Sequence, residues 1–382
     1  MKKKIELRKI PHIKVKKVNA QDLIKLIKTY FKNQLIFNKK YEVIEKEENL
    51  YFPLQPDLHI KKLKQKLKEK IPFKIVFIQG KKNLNYKAQS LEEELENKLP
   101  NQLLELLPQS YDIIGNIVIV ELDQYNSIKN PKKVKKTIAN AIIKVNKNVK
   151  SVYEKQSKIR GNYRLRKLKH LAGIKKTKTI HKENHCLFKI DLEKVFFSPR
   201  LNHEHKRISL QNFKKNELIV DLFAGIGAFS IIIAKNHDVK IYAFDINPFA
   251  IKLLKKNINL NNLKGEIIPL KINVKNLLNS ENKFSYLLKN KIDRVIMNLP
   301  EKSLDYIDVV SHLSKKTGCI LHNYQFCEKP HSVKKAIDNL QTQLHKFTWR
   351  IERIKHAKVL KSYSPKSDVI VIDALIIKSN NE

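Results

Sequence analysis

Three groups of residues have the types and spacing to do chemistry. The first lies in "DLFAGIGAFSIIIAKNHDVKIYAFDIN", Asp221 to Asn247, where one apolar run ends in an acid, a Gly-x-Gly turn follows, and a second apolar run ends at Asp245. Such a strand, turn, helix, strand unit lets a nucleotide approach the backbone and offers an acid to its ribose. A dinucleotide fold prefers a third glycine or alanine to seat pyrophosphate, and Ser230 stands there instead. An acid closing the first strand, Asp221, would repel phosphate but suits the ammonium of a methionine moiety. The unit therefore favours S-adenosylmethionine. The second group is "MNLPEKSLDYID", Met297 to Asp308, after the strand-like "DRVIM". At a strand's carboxyl end Asn298 would project toward whatever reacts with the cofactor, although asparagine and proline are also ordinary turn formers. Enzymes that methylate an exocyclic amine carry an aromatic beside the proline to stack on the flipped base. Asn-Leu-Pro-Glu has none, which points to another target atom. The third is "FFSPRLNHEHKRI", Phe196 to Ile208, in which Arg200, Glu204 and Arg207 recur at helical intervals on one side of a helix beginning near Leu201.

These groups need a scaffold that brings strand ends together. From residue 218 on, strand-like and helix-like stretches alternate: "GEIIPLKI", "IDRVIMNLP", "GCILHNYQF", a helix over about Ser332 to Leu344, then "FTWRIERIKHAKVL" and "SDVIVIDALII". The pattern predicts an α/β fold with a doubly wound, mostly parallel sheet of Rossmann-like kind, its last two strands an antiparallel edge pair. Two smaller α/β domains are expected before it. Residues 1–56 carry the strand "HIKVKKV", a helix from about Ala20 to Phe31 and the hairpin "YEVIEKEENLYFPL", with Pro53 and Pro56 marking a boundary. Residues 57–183 carry a basic helix, the strand "FKIVFI", an acidic helix near "SLEEELENKL", the strand "DIIGNIVIVEL" and a helix near "VKKTIANAIIKV"; residues 184–382 form the third domain.

The 382 residues hold 77 basic against 37 acidic side chains, a net charge of +40, well beyond what solubility requires. Compositional bias toward lysine explains part of the excess but not the shortage of acids, so a polyanion, nucleic acid, is the expected partner. No basic amphipathic helix with bulky apolar residues opposite speaks for a membrane surface. No apolar run approaches the roughly twenty residues of a membrane span, and "MKKKIELRKI" has a charged head with no apolar stretch behind it. A cytoplasmic protein is expected. Cys186, Cys319 and Cys327 are scattered and match no metal spacing, so they read as packed, reduced thiols.

In combination, "FSPRLNHEHKRI", "DLFAGIGAFSI", "FDINPFAI", "MNLP" and "ILHNYQF", in this order and behind a small N-terminal α/β domain, resemble the archaeal and eukaryotic tRNA (guanine-37, N1)-methyltransferase family over nearly the whole chain. The resemblance implies a class I methyltransferase domain that uses S-adenosylmethionine, a middle domain that contacts tRNA, and an N-terminal module that engages the outer tRNA. Neither DNA nor a membrane is implied as a partner, and a monomer is expected. The resemblance also assigns roles. Glu204 falls on the general base that removes the N1 proton; Arg164, in "GNYRLRKL", falls on the arginine that stabilises charge developing on O6, with Arg160 and Arg166 as neighbouring alternatives; Asn298 holds the guanine edge. Around the cofactor it places Asp221, Gly225 and Gly227 at the methionine end and Asp245 at the ribose, with Arg200, Phe223, Ile246, Asn273, Asn298 and Pro300 also among the pocket residues. Arg200 braces the active-site helix or helps position the target beside the cofactor. One residue departs from the pattern: Asn273 stands where many relatives carry an aspartate accepting from the adenine amino group, and its carbonyl oxygen can still accept. The same family includes archaeal members that methylate the tricyclic wyosine intermediate, and related enzymes transfer the aminocarboxypropyl arm instead. From a different class, a non-catalytic RNA-binding protein on a methyltransferase scaffold is the alternative.

Overall fold

The computed structural model describes residues 9–32 and 34–379; the charged start, residues 1–8, lies outside them. The chain divides into two compact units at residue 89/90. In the first unit, β1 (Lys9–Lys16), α1 (Ala20–Tyr30), β2 (Ile44–Lys46), β3 (Asn49–Pro53), α2 (Ile60–Leu67) and β4 (Lys74–Gln79) form an antiparallel sheet of order β2-β3-β1-β4 with two helices. Leu23 and Ile27 of α1 and Leu63 and Leu67 of α2 pack on Ile13 and Val15 of β1. The boundary suggested by Pro53 and Pro56 falls inside this unit. The strand "FKIVFI" is β4, which pairs with β1 from Lys9↔Gln79 to Lys14↔Lys74, so β1 is a central strand that needs residues 57–89 to satisfy its second edge.

The second unit opens with α3 (Leu91–Leu95), α4 (Asn101–Leu104), β5 (Asp112–Ile114), β6 (Ile117–Val120), α5 (Pro131–Val145), β7 (Ser151–Lys155) and β8 (Leu168–Gly173), in a sheet of order β5-β6-β7-β8. "DIIGNIVIVEL" is two strands rather than one. Ile114 pairs with Ile117 across a two-residue turn, and Gly115 there has φ +57°. A Cβ at Gly115 would lie 2.1 Å from Thr179 Oγ1, so the position admits only glycine. Strands β9 (Lys178–Glu183) and β10 (Cys186–Asp191) form a hairpin whose turn residues, Asn184 and His185, both have positive φ. The expected boundary at 183/184 falls in this turn.

After α6 (Asn202–Ser209) come β11 (Glu217–Asp221), α7 (Ala228–Asn236), β12 (Val239–Asp245), α8 (Pro248–Asn259), β13 (Glu266–Lys271), α9 (Lys283–Leu288), β14 (Arg294–Met297), α10 (Ile307–Leu313), β15 (Cys319–Glu328), α11 (Ser332–His345), β16 (Trp349–Ser364) and β17 (Ser367–Lys378). The sheet runs β13-β12-β11-β14-β15-β17-β16, parallel up to β15, with β17 antiparallel to both its neighbours. Successive residues of β11 serve opposite faces: Ile219 packs with Phe229 of α7 and Leu254 of α8, and Val220 with Val310 of α10 and Leu340 of α11. Strand order reverses between β11 and β14, so their outgoing chains diverge and leave a crevice at the carboxyl ends. Asp221, Asp245, Lys271 and Met297 are the residues at those ends.

Candidate active site

The β11–α7 turn is held from two sides. Gly225, at φ +56°, donates its N–H to Asp245 Oδ2 at 2.8 Å, and Asn247 N–H donates to Asp245 Oδ1 at 2.7 Å. Asp221 is 1% exposed and accepts from Ser230 Oγ at 2.7 Å. Burial, reinforced by the charge of Asp245, pushes the Asp221 carboxyl up to about 7; burial likewise raises Asp245. The two glycines of the turn do different things. A Cβ at Gly225 would meet nothing within 4 Å, whereas one at Gly227, φ +91°, would lie 2.3 Å from Leu254 Cδ1. Gly227 thus serves the packing of α7 on α8, and Gly225 keeps space open above the turn. Phe223 stands edge-on to Tyr306 at 4.9 Å between ring centres.

Beside this turn lies a cavity of about 650 Å³, lined by Ile246, Lys271, Ile272 and Asn273 from the β12 and β13 ends and by Arg160, Gly161, Asn162, Tyr163 and Leu165 of one loop. Ile246 and Asn273 are the expected cofactor residues that line it. Asn273 Oδ1 accepts from Lys275 N–H at 3.1 Å, closing a local turn and leaving its second lone pair for a ligand. S-adenosylmethionine, which this fold implies, fits these residues. Open space above Gly225, a buried Asp221 Oδ1 with no hydrogen-bond partner and the Asp245 carboxylate at the strand end suit an adenosyl group carrying a positive charge.

The three arginines of "GNYRLRKL" and its approach go to three places. Arg160 N–H and C=O pair with those of Leu165, and the side of this loop faces the cavity. Arg164 has φ +55°, uncommon for arginine, and its guanidinium lies over the Phe196 ring at 5.2 Å. Its Nη1 is buried without a hydrogen-bond partner, 3.4 Å from Glu301, which follows Asn298 and Pro300 in the β14 loop. Arg166 is desolvated among Asp112, Glu121 and Arg200, and burial lowers its pKa. Pro300 C=O accepts from Phe326 N–H at 3.0 Å, which ties the loop to β15. Arg200 is 53% exposed and does not line the cofactor cavity; its Nε donates to Asp112 Oδ1 at 2.7 Å, fastening the turn before α6 to β5.

Glu204 is 2% exposed and its partner is Arg207, not Arg200. Arg207 Nε donates to Glu204 Oε2 at 2.9 Å, and the Tyr324 hydroxyl donates to Oε1 at 2.7 Å. The same guanidinium bonds Asp373 on β17 through Nη1 at 2.5 Å, and Asp373 also accepts from Gln211 Nε2 at 2.8 Å. Behind Asp373 stands His322. Because Arg294 Nη1 can only donate to His322 Nε2, at 2.9 Å, the imidazole proton is on Nδ1 and goes to Asp373 Oδ1 at 2.7 Å. Burial lowers the His322 pKa, in keeping with a neutral ring; it opposes ionisation of Asp373 too, but the His322 hydrogen bond and Arg207 outweigh it and hold that carboxyl well below the usual range. Arg294 is itself neutralised by Glu217 at 2.7 Å. Two carboxylates, Glu204 and Asp373, thus share one guanidinium, with the Lys355 ammonium also within electrostatic reach of Asp373. Tyr324, Asp373, His322 and Arg294 were not singled out from sequence, although "ILHNYQF" contains two of them.

Strand order, the acid-bounded glycine turn and the crevice together define a class I methyltransferase fold. The chain belongs to the TRM5/TYW2 methyltransferase family: residues 179–352 match that family's methyltransferase domain, and residues 91–177 match the TYW2 N-terminal domain. It is 34% identical over 344 residues, 90% of this chain and 93% of the relative, to a tRNA (guanine(37)-N(1))-methyltransferase Trm5b of Methanocaldococcus jannaschii. It is 32% identical, over 69% of this chain and 96% of the relative, to the tRNA(Phe) (4-demethylwyosine(37)-C(7)) aminocarboxypropyltransferase of the same organism. Among solved structures, aTrm5 in complex with tRNALeu superposes with a TM-score of 0.73 at 32% identity, covering 96% of this chain and 99% of that one. Among the described residues no helix is long and apolar enough to cross a membrane, and no group of His, Cys, Asp or Glu is placed to hold a metal; the three cysteines are buried and free.

Proposed function

We propose that this chain is an S-adenosylmethionine-dependent tRNA methyltransferase that forms 1-methylguanosine at position 37. The observation that carries the reading is Arg164: a strained, half-buried arginine whose Nη1 makes no hydrogen bond and is held only by an ion pair, at 3.4 Å, to Glu301 in the loop that holds Asn298. Guanine N1 bears a proton and its lone pair is delocalised, so methylation requires proton removal and places negative charge on O6. Arg164 is the donor for O6, worth about 10²- to 10³-fold by comparison with oxyanion holes. Asn298 holds the guanine edge, and Pro300 fixes the loop. Glu204 takes the N1 proton, and the two-carboxylate, one-guanidinium cluster supports this, because a proton on Glu204 leaves Arg207 and Asp373 as a neutral pair. When bound, S-adenosylmethionine supplies a methyl group on positively charged sulfur. Asp221 pairs with its ammonium, Asp245 with its ribose, and Phe223, Gly225, Ile246 and Asn273 shape the pocket; Gly227 and Arg200 hold the elements that carry these residues. Guanosine leaves the anticodon loop to enter the site, at modest cost because loop bases are unpaired.

The second unit carries the chemistry in this reading, its residues 90–177 contact the anticodon arm, the first unit engages the outer tRNA, and the protein acts as a cytoplasmic monomer. The test is incubation of unmodified tRNA transcripts, with guanosine or adenosine at position 37, with labelled S-adenosylmethionine, followed by nucleoside mass analysis. Formation of 1-methylguanosine from the guanosine transcript alone is expected. Transfer only to a tricyclic wyosine intermediate, as a methyl or as an aminocarboxypropyl group, would replace this reading by the second activity of the family. Tight tRNA binding without any transfer would leave a non-catalytic RNA-binding scaffold.

A further inference from the structure

A second concavity, of about 930 Å³, is not part of the catalytic site. Its rim carries seven lysines: Lys178 and Lys182 on β9, Lys189 on β10, Lys252 and Lys256 on α8, and Lys176 and Lys194 in the adjoining loops. Among the described residues none of the seven is in an ion pair. The carboxylate lining the cavity, Asp191, is held by Thr177 Oγ1 at 2.9 Å and by Glu193 N–H. The seven ammoniums outnumber the one lining carboxylate and repel one another, so an anion of many charges suits this hollow.

We propose that this groove binds the phosphodiester backbone of the RNA whose base enters the catalytic site; the inference rests on the proposed tRNA substrate. Two features favour RNA over an acidic peptide or a lipid surface. The open edge of β10 is already satisfied: Asn257 of α8 and Asn261 just beyond it bond the N–H and C=O groups of Lys189 and Leu187, at 2.7 to 3.2 Å, so an extended peptide finds no free edge on β10. The surface is concave, which admits a rounded A-form strand and excludes a flat bilayer. Residues of the groove also adjoin residues of the catalytic side. Ile246 lines the cofactor cavity and Phe249, three residues on, lines the groove, where Lys194 Nζ sits over its ring at 5.1 Å. On the other flank His181 of the groove stands edge-on to Phe197, whose neighbour Phe196 supports Arg164. One RNA can therefore occupy the groove and present a base to Arg164.

The experiment uses the full chain with Lys178→Gln, Lys182→Gln, Lys252→Gln and Lys256→Gln combined. Binding of a tRNA transcript is measured from about 50 to 300 mM salt, alongside S-adenosylmethionine affinity and transfer kinetics. Each phosphate contact contributes about 0.7–0.9 to the slope of log affinity against log salt, so the variant should lose about 3 from that slope. Its KM for tRNA should rise at least tenfold at moderate salt, with kcat at saturating tRNA within about twofold and cofactor affinity unchanged. An unchanged slope and KM would overturn the proposal. So would wild-type binding to vesicles of phosphatidylglycerol, or to polyglutamate, that the substitutions abolish while tRNA binding stays intact. If the wild-type chain methylates no tRNA, the catalytic reading fails, while the salt dependence of tRNA binding still decides the groove.

Discussion

Asp221 gives the sharpest quantitative expectation. An aspartate ionises near pH 3.9 in an unfolded chain, and burial at the end of β11 raises it to about 7. Between those values the folded state holds more protons than the unfolded one, so this residue's contribution to stability is full below about pH 4 and is lost as pH rises toward 7. The difference, at about 1.4 kcal/mol per pH unit, is about 4 kcal/mol. A cofactor ammonium reverses the preference, because it requires the carboxylate. S-adenosylmethionine should therefore dissociate about 50-fold more readily at pH 5 than at pH 7, the ratio set by the fraction of Asp221 ionised. Calorimetric titration across that range reads it directly. Asp221→Asn keeps the size and a hydrogen bond to Ser230 but cannot ionise, so it should bind cofactor weakly with little pH dependence while unfolding at a higher temperature than wild type at pH 8. A dissociation constant independent of pH in the wild type, or the same pH dependence in the asparagine variant, would refute the assignment of the ammonium to Asp221.

Glu204→Gln should preserve tRNA and cofactor binding and lower single-turnover methyl transfer by about two orders of magnitude or more; near-normal transfer would remove Glu204 from the proton path. The two glycines should separate in thermal unfolding with and without cofactor. Gly225→Ala, with open space around its Cβ, should cost about 1 kcal/mol from its positive φ but weaken cofactor binding at least tenfold. Gly227→Ala should cost about 2–3 kcal/mol of stability through its clash with Leu254, and equal effects from the two would contradict the separation drawn between them. Arg164→Ala should reduce transfer about 100-fold with less than a tenfold change in tRNA affinity, and a change confined to affinity would make Arg164 a phosphate contact instead.

The candidate site residues could be singled out in the sequence because their signals are local. A strand ending in an acid, a glycine turn and a helix within nine residues fix Asp221, Gly225 and Gly227 by backbone geometry alone, and alternation of strands and helices after residue 218 identified a parallel sheet with an antiparallel edge. The resemblance supplied roles for Glu204, Arg164 and Asn298 because family motifs are short and contiguous. The partners of those residues are another matter. Helical spacing offers Glu204 both Arg200 and Arg207, and only the fold decides, by drawing Arg200 to Asp112, 88 residues away in sequence, and setting Asp373 of β17 against Arg207. Strand pairing settled the unit boundary in the same way: prolines at 53 and 56 look like a linker, yet β1 needs β4 to satisfy its hydrogen bonds. The basic composition announced a polyanion, but lysines scattered over β9, β10 and α8 form a groove only when a hairpin docks on α8 and the residues just after it through Asn257 and Asn261. Sequence determines what can be specified by neighbours within a turn or a strand; charge balance, burial and concavity depend on contacts between distant segments, and those the tertiary structure alone brings together.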